Sequence, residues 1–302
     1  MEKILLLGPK SYTTRRIIEE LEKKSCHVEL KDWSEIVLPF SDEIPAVCLP
    51  RMTPRVSTIF QLDCIEYLVT QGCSMVNHLE AILKCDKLSQ FMIWSASKKL
   101  RNLSTIPLSM GTIDVDQALN FIHKLGQVVF KPLDRGLGEG VQFISKNDPN
   151  LKMTLTDILD NYGSLFLQEY IPQQDFDLRT LAIGPDIIFQ YFRRATTDFR
   201  TNISCGGIPV SIQVMKQEIP EINTFLELSR QIAEVVMMET GLEIVGVDTA
   251  LNQQEIVLWE WNPFPGIEGA ETIFGSNVGR KIAEYLKNKA YSINYEECTY
   301  GS

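Results

Sequence analysis

Three groups of residues in this chain have types and spacings that could do chemistry. Gly246-Val247-Asp248 and Leu258-Trp259-Glu260-Trp261-Asn262-Pro263 each place carboxylates toward the end of an apolar run. If both runs are strands and pair, Asp248, Glu260 and Asn262 share a face, because residues two apart on a strand project to one side. Two carboxylates and a carboxamide are hard oxygen donors, a set that suits Mg²⁺ bridging nucleotide phosphates. For an isolated Asp and Glu, pairing with a local Arg or Lys is the commoner explanation; the apolar strands and the E-x-N-x-x-P-G ending favour the metal. Lys131 closes another apolar run and precedes Asp134-Arg135-Gly136-Leu137-Gly138-Glu139-Gly140. Such a lysine can reach phosphates as a point charge. The glycines Gly136, Gly138 and Gly140 can fold backbone N–H groups over phosphate oxygens, although a hairpin loop uses glycine for turn geometry alone more often. The third group is Arg193-Arg194, then Arg200-Thr201-Asn202, then Gly206-Gly207. Its cations suit charge building on a transferring phosphoryl group or a tetrahedral intermediate; standing alone, the segment would read as a solvated, ion-paired loop.

Positioning these groups requires a definite order of elements. Ile4–Leu7 reads as a strand turned by Gly8-Pro9, and Thr13–Lys24 as an amphipathic helix with Ile17, Ile18 and Leu21 on one stripe. Short strands at Val28–Leu30 and Ala46–Leu49 and a helix over Thr58–Gln71, closed by Gly72, complete an alternation that implies a small parallel sheet with helices on both faces. Helices follow at Asp86–Ala96 and Asp114–Leu125, with strands at Val128–Lys131 and Val141–Ile144 flanking the glycine loop. A strand–glycine loop–strand order differs from the P-loop and the Rossmann turn, where the loop opens a helix. Further strands are expected at Leu165–Tyr170, Asp177–Ile183, Ile187–Arg193, Ile244–Ala250 and Ile256–Trp261, and helices at Ile222–Thr240 and Asn277–Lys289; little pattern is visible after Ala290. The expected division is residues 1–84, 85–164 and 165–302.

Composition bounds the function. At 302 residues the chain is long enough for two or three domains around one site. A net charge of -10 disfavours general nucleic-acid binding. Seven cysteines, an odd number with no C-x-x-C pair, fit a reducing compartment better than a disulfide framework or a zinc site. No apolar run reaches the roughly 18 residues of a membrane span, and the N-terminal apolar stretch reads as a strand. The expectation is a cytoplasmic chain with no nucleic-acid or membrane partner.

Taken in order, Tyr12 to Arg16, Leu49-Pro50-Arg51, Cys85 to Leu88, Val128 to Pro132 with its glycine loop, Leu167 to Ile171, Asp177-Leu178-Arg179, Arg194 to Asn202 with Gly206-Gly207, Gly246 to Asp248, and Glu260 to Gly266 resemble the ATP-grasp superfamily, and within it the RimK-like ligases that add amino acids such as glutamate to a protein or small-molecule acceptor. The resemblance spans nearly the whole chain. It implies an α/β and α+β architecture: an N-terminal parallel α/β (pre-ATP-grasp) domain and two α+β subdomains clamping ATP. It implies Lys87 and Lys131 on the phosphates, Glu169, Tyr170 and Ile171 in the adenine cleft, and Asp177 on the ribose or adenine side. Arg200, Thr201 and Asn202 would face the phosphates, with Arg200 and Asn202 catalytic, and Asp248, Glu260 and Asn262 would hold two Mg²⁺ ions, with Mn²⁺ as an alternative. The chemistry implied is amide formation through an acyl-phosphate, which relies on positioning and charge neutralisation and accounts for a site without a Ser–His pair; His27, His78 and His123 read as structural. The donor amino acid, the protein, peptide or small-molecule acceptor, and homo-oligomer formation stay open. Phe264 and Cys205 depart from the pattern, where a small and a basic or polar residue are expected. Arg15, Arg16 and Arg51 could meet substrate carboxylates through guanidinium forks; surface arginines without a ligand are an equal reading. Two alternatives use the same residues: a phosphotransferase that stops at a hydroxyl, and a binding module that signals nucleotide occupancy.

Overall fold

The computed structural model describes residues 3–40, 43–133, 138–172, 175–198 and 200–300. Strands β1 (Lys3–Leu7), β2 (His27–Lys31), β3 (Val47–Pro50) and β4 (Ser74–Met75) form a parallel sheet in the order β2-β1-β3-β4. Alternation along β1 divides its side chains: Ile4 and Leu6 pack with Ile17 and Leu21 of helix α1 (Tyr12–Lys23), while Leu5 and Leu7 pack with Cys64, Ile65 and Leu68 of α2 (Thr58–Thr70). The expected helices on both faces are therefore present. A short α3 (Leu79–Leu83) closes this part.

Helices α4 (Lys87–Ala96) and α5 (Lys98–Leu103) lead to a second, antiparallel sheet. It contains β5 (Ser109–Thr112), β6 (Gln127–Phe130), β7 (Gln142–Ser145) and β8 (Leu165–Glu169) in the order β5-β8-β6-β7, with helices α6 (Val115–Leu125) and α7 (Leu151–Tyr162). Val128 and Phe130 bury against these helices, so Val129 and Lys131 turn to the opposite face. The sequence reading assigns no element to the stretch that forms α7, although Leu151, Leu155 and Ile158 are buried at helical spacing.

The third sheet has the order β11-β10-β9-β12-β13 and is antiparallel throughout. Its strands are β9 (Phe176–Ile183), β10 (Ile187–Arg194), β11 (Ile208–Val210), β12 (Ile244–Asn252) and β13 (Glu255–Asn262). Helices α8 (Ile212–Met215) and α9 (Ile222–Thr240) lie between β11 and β12, and α10 (Glu268–Phe274) and α11 (Asn277–Tyr300) follow β13. Phe176, Leu178, Phe192, Val245 and Val247 meet Ile232 and Val236 of α9, leaving Asp177, Arg179, Arg193 and Asp248 for the other face. One finding revises the expectations. The last helix does not stop at Lys289 but runs to Tyr300. Trp94 of α4 and Leu100 of α5 are buried in the core of the five-stranded sheet. Conversely, Val278, Ile282 and Leu286 of α11 join the core beneath β1 and α1. No helix among the described residues is long and apolar enough to cross a membrane.

Candidate active site

A cleft of about 900 Å³, its open mouth included, lies between the second and third sheets. Its lining gathers Lys87, Lys131, Gly138, Glu169, Tyr170, Ile171, Asp177, Arg200, Thr201, Asn202, Asp248 and Glu260, which are separated by as much as 173 residues in sequence. Gly140 lies against Pro132 and Tyr162 instead, and Asn262 sits at the end of β13 outside the lining. Gly136 falls outside the described residues.

The third sheet supplies the charges. Asp248 and Glu260 are direct partners in the β12–β13 register, and Gly246 pairs with Asn262. A register shift between Asp248 and Thr249 puts Thr249 opposite Leu258, so β13 carries one extra residue, Trp259. That bulge sends Leu258 into the core while Trp259 and Glu260 both reach the cleft. Lys87 is the first residue of α4, whose N-cap Asp86 accepts from the backbone of Leu88 and Ser89 at 3.0 Å. From there its ammonium donates to Glu260. Gln90, one turn on, holds the backbone of Trp261 with both ends of its amide, at 2.9 and 3.0 Å. Burial alone would raise the Glu260 carboxyl, but Lys87 and Lys131 outweigh it and hold it down at about 2.

Buried ion pairs join β9, β10 and β12. Arg179 donates to both oxygens of Asp248, from Nε and, at 2.8 Å, from Nη2. Arg193 Nη2 lies 2.9 Å from Asp248 Oδ2, and its Nε donates to Asp177 Oδ1 at 2.8 Å. The Thr201 hydroxyl also donates to Asp177. A Cβ on Gly246 would stand 2.8 Å from Arg179 Nη1, so glycine there leaves room for the guanidinium. Asp177 lines the cleft, with its oxygens engaged by Arg193 and Thr201. Sequence reasoning had Arg179 and Arg193 only as parts of motifs; their alternation with Asp177 along β9 and β10 is the signal that they meet on one face.

The second sheet supplies a quieter wall. Lys131 Nζ donates to Gln168 Oε1 at 2.6 Å and stands 5.5 Å from the centre of the Trp259 ring. Burial pushes its ammonium down to about 8 against the pull of Glu260. Gln168 and Trp259 are two lining residues that the sequence reading did not single out. Glu169 and Leu108 exchange bonds, Leu108 N to Glu169 Oε2 at 3.1 Å and Glu169 N to Leu108 O at 2.7 Å, and the Tyr170 ring packs edge-on against Phe143 at 4.9 Å. Across the mouth, Arg200 pairs with Asp198 and donates from Nη1 to the Gly138 carbonyl at 3.3 Å. Gly138 has φ +76°, and a Cβ there would lie 3.2 Å from Cys205 Sγ and 3.3 Å from Asn202 Oδ1. The glycine loop and the Arg200–Cys205 segment therefore touch.

Residues 98–257 match the family model described as the prokaryotic glutathione synthetase ATP-grasp domain. The chain belongs to the ATP-grasp family. Within it the chain is RimK-like. It is 25% identical to a protein of Legionella pneumophila described as a probable alpha-L-glutamate ligase, over 96% of each chain. A RimK domain ATP-grasp protein from Sphaerobacter thermophilus has the same fold, with a TM-score of 0.68 at 16% identity over 94% of this chain and 99% of that one. So does the ATP-grasp ligase PsnB complexed with minimal precursor, Mg and ADP, with a TM-score of 0.65 at 14% identity over 95% and 97%. This ATP-grasp protein is an ATP-dependent carboxylate–amine ligase, an enzyme that forms amide bonds. The phosphotransferase and binding-module alternatives find no support.

Proposed function

We propose that this ligase adds an amino acid, glutamate first among the candidates, to the carboxylate of a protein, peptide or small-molecule acceptor. The observation that carries the reading is the asymmetry of the cleft, with paired cations and carboxylates on one wall and backbone, Gln168 and aromatic rings on the other. A carboxylate is a poor acyl donor, because its leaving group would be oxide; phosphorylation by ATP gives a mixed anhydride that an amine can attack with loss of phosphate. Lys87 and Lys131 would neutralise the phosphates, Arg200 and Asn202 the transferring group. Glu169, Tyr170 and Ile171 would border the adenine. Since the N–H groups of Glu169 and Tyr170 already bond the carbonyls of Leu108 and Gln127, base reading falls to the backbone at Ile171 and to carbonyls. Asp177, on the ribose or adenine side of the cleft, would also hold Arg193 and Thr201 in place.

Asp248 and Glu260, directly opposed on paired strands, are oxygen donors that fit a hard divalent cation, with Asn262 next along β13. Bound there, Mg²⁺ would neutralise the charge on the phosphates. Arg179, Arg193 and Lys87 pair with those carboxylates. The glutamate preference is supported by the relatives' description as glutamate ligases. The test is phosphate release by the purified chain with Mg-ATP across a panel of amino acids, with and without peptide and small-molecule acceptors. Release that requires L-glutamate, matched by a product heavier by one residue, is expected. Release with another amino acid alone would replace glutamate, and release with none would sink the reading.

A further inference from the structure

Of the three first-sheet arginines that suit carboxylates, two have other employment or none. Arg16 is paired with Glu19, Glu20 and Glu271, and Arg15 is exposed. Arg51 differs from both. It follows β3 at the carboxyl edge of the parallel sheet, the edge where open α/β sheets take ligands. Its backbone is fixed there, with its N–H donating to Leu7 O at 2.7 Å and its carbonyl accepting from Trp33 Nε1 at 3.0 Å. The guanidinium reaches the loop that follows β13, donating from Nη1 to Pro265 O at 3.1 Å and from Nη2 to Phe264 O at 3.2 Å. Nε is buried and has no acceptor among the described residues. Burial pushes the guanidinium down to about 10, and among the described residues no carboxylate offsets it.

A guanidinium has five N–H donors, and two carbonyls leave three of them, Nε–H included, for something else. Arg179, Arg193 and Arg200, by contrast, each meet a carboxylate. Helix α1 brings a second positive end to the same loop: Thr13 in its first turn accepts from Ile267 N at 3.1 Å, and that turn has no acidic residue. An uncompensated cation, a helix N-terminus and a partly exposed residue thus converge on residues 264–267, directly beyond Glu260 and Asn262.

We infer that Arg51 receives a carboxylate of the amino-acid substrate, which makes the carboxyl edge of the first sheet one wall of the amino-acid subsite. The inference rests on the ligase reading above and names the group that recognises its substrate. A fork of charged hydrogen bonds to a carboxylate is directional and strong, so its loss should appear in substrate affinity rather than in nucleotide affinity.

The test measures phosphate release with Mg-ATP and L-glutamate for the wild-type chain, Arg51→Gln and Arg51→Lys. Arg51→Gln should raise KM for L-glutamate about 10- to 100-fold with KM for ATP unchanged, and Arg51→Lys should recover part of it. An unchanged KM for L-glutamate overturns the inference. So does a parallel rise in both KM values with a lowered melting temperature, which would mark Arg51 as a clamp on the 264–265 backbone only. Should Arg51→Gln fail to fold, wild-type calorimetry with ADP and Mg²⁺ present decides. Binding of L-glutamate that Arg51→Lys weakens supports the inference, and binding that it leaves unchanged refutes it. A wild-type chain that turns over no amino acid fails the ligase reading instead, an outcome separate from either result for the variants.

Discussion

The two sheets that face the cleft solve different problems. On the five-stranded sheet, charges are bound to one another: Arg179 and Arg193 with Asp248, Arg193 with Asp177, Lys87 with Glu260. On the four-stranded sheet one half-buried cation, Lys131, donates to a neutral amide and stands over an aromatic ring, with Glu260 attracting it from across the cleft. Breaking one member of a buried ion pair strands its partner, whereas removing Lys131 leaves Glu260 paired with Lys87. The first wall should therefore couple catalysis to stability, and the second should tune nucleotide affinity with little structural consequence.

The sharpest test of this contrast is Asp248→Asn against Glu260→Gln. Asp248→Asn leaves Arg179 and Arg193 short of a counter-charge and should destabilise the fold by about 3–5 kcal/mol, measured by urea unfolding, while removing turnover. Stability within error of wild type would mean that the arginine cluster is not paired in solution. Glu260→Gln should lower the phosphate-release rate by roughly 100- to 1,000-fold, on the scale of losing one charge-stabilising group. Its unfolding midpoint should move much less than that of Asp248→Asn, because Lys87 and the open cleft tolerate the change; wild-type turnover would remove Glu260 from the phosphate site.

On the quieter wall, Lys131→Met should weaken ADP binding about tenfold and leave the melting temperature unchanged or higher. The sign with pH follows from burial. The ammonium is charged below about 8, so nucleotide affinity should fall several-fold as pH rises from 7 to 9. The variant should lose that dependence. The same shift works on stability in the other direction: the folded chain binds fewer protons than the unfolded one between about 8 and the ordinary lysine range, so this group's contribution to stability rises over that window. A pH-independent ADP affinity in the wild-type chain would show that Lys131 does not meet the phosphates. The smallest effect is expected from Gly138→Ala. Its positive φ and the 3.2 Å approach to Cys205 should cost about 1 kcal/mol, read as a shift of a few degrees in melting temperature and a modest loss of nucleotide affinity.

Much of this was legible because local patterns were strong. The apolar stretches at Ile4–Leu7, Val128–Phe130 and Ile244–Val247 have strand length and strand composition, and Ile222–Thr240 has an unbroken helical stripe ending at Gly241. The residues gathered in the cleft mostly stand at strand ends or in glycine-marked loops, where sequence signals concentrate. Weaker stretches escaped: β4 and β5 are short, and α7 interleaves its apolar stripe with Met153, Thr154 and Thr156.

By itself, then, the sequence determined the order of the strongly patterned elements, the parallel first sheet and the cast of charged residues, since all three depend on periodicity and residue type along the chain. Tertiary structure alone decided which charges meet. The extra residue at Trp259 turns Leu258 inward and Glu260 outward, and a bulge is a property of two paired strands rather than of either one. Asp177 and Arg193 lie sixteen residues apart but face each other because β9 and β10 are antiparallel neighbours. The loop after Asn262 is held by Asn77, Arg51 and Thr13, with Asn77 Nδ2 donating to Pro263 O at 2.8 Å. Those partners are nearly two hundred residues or more away, and only the packing of the first sheet against the third brings them within hydrogen-bond reach.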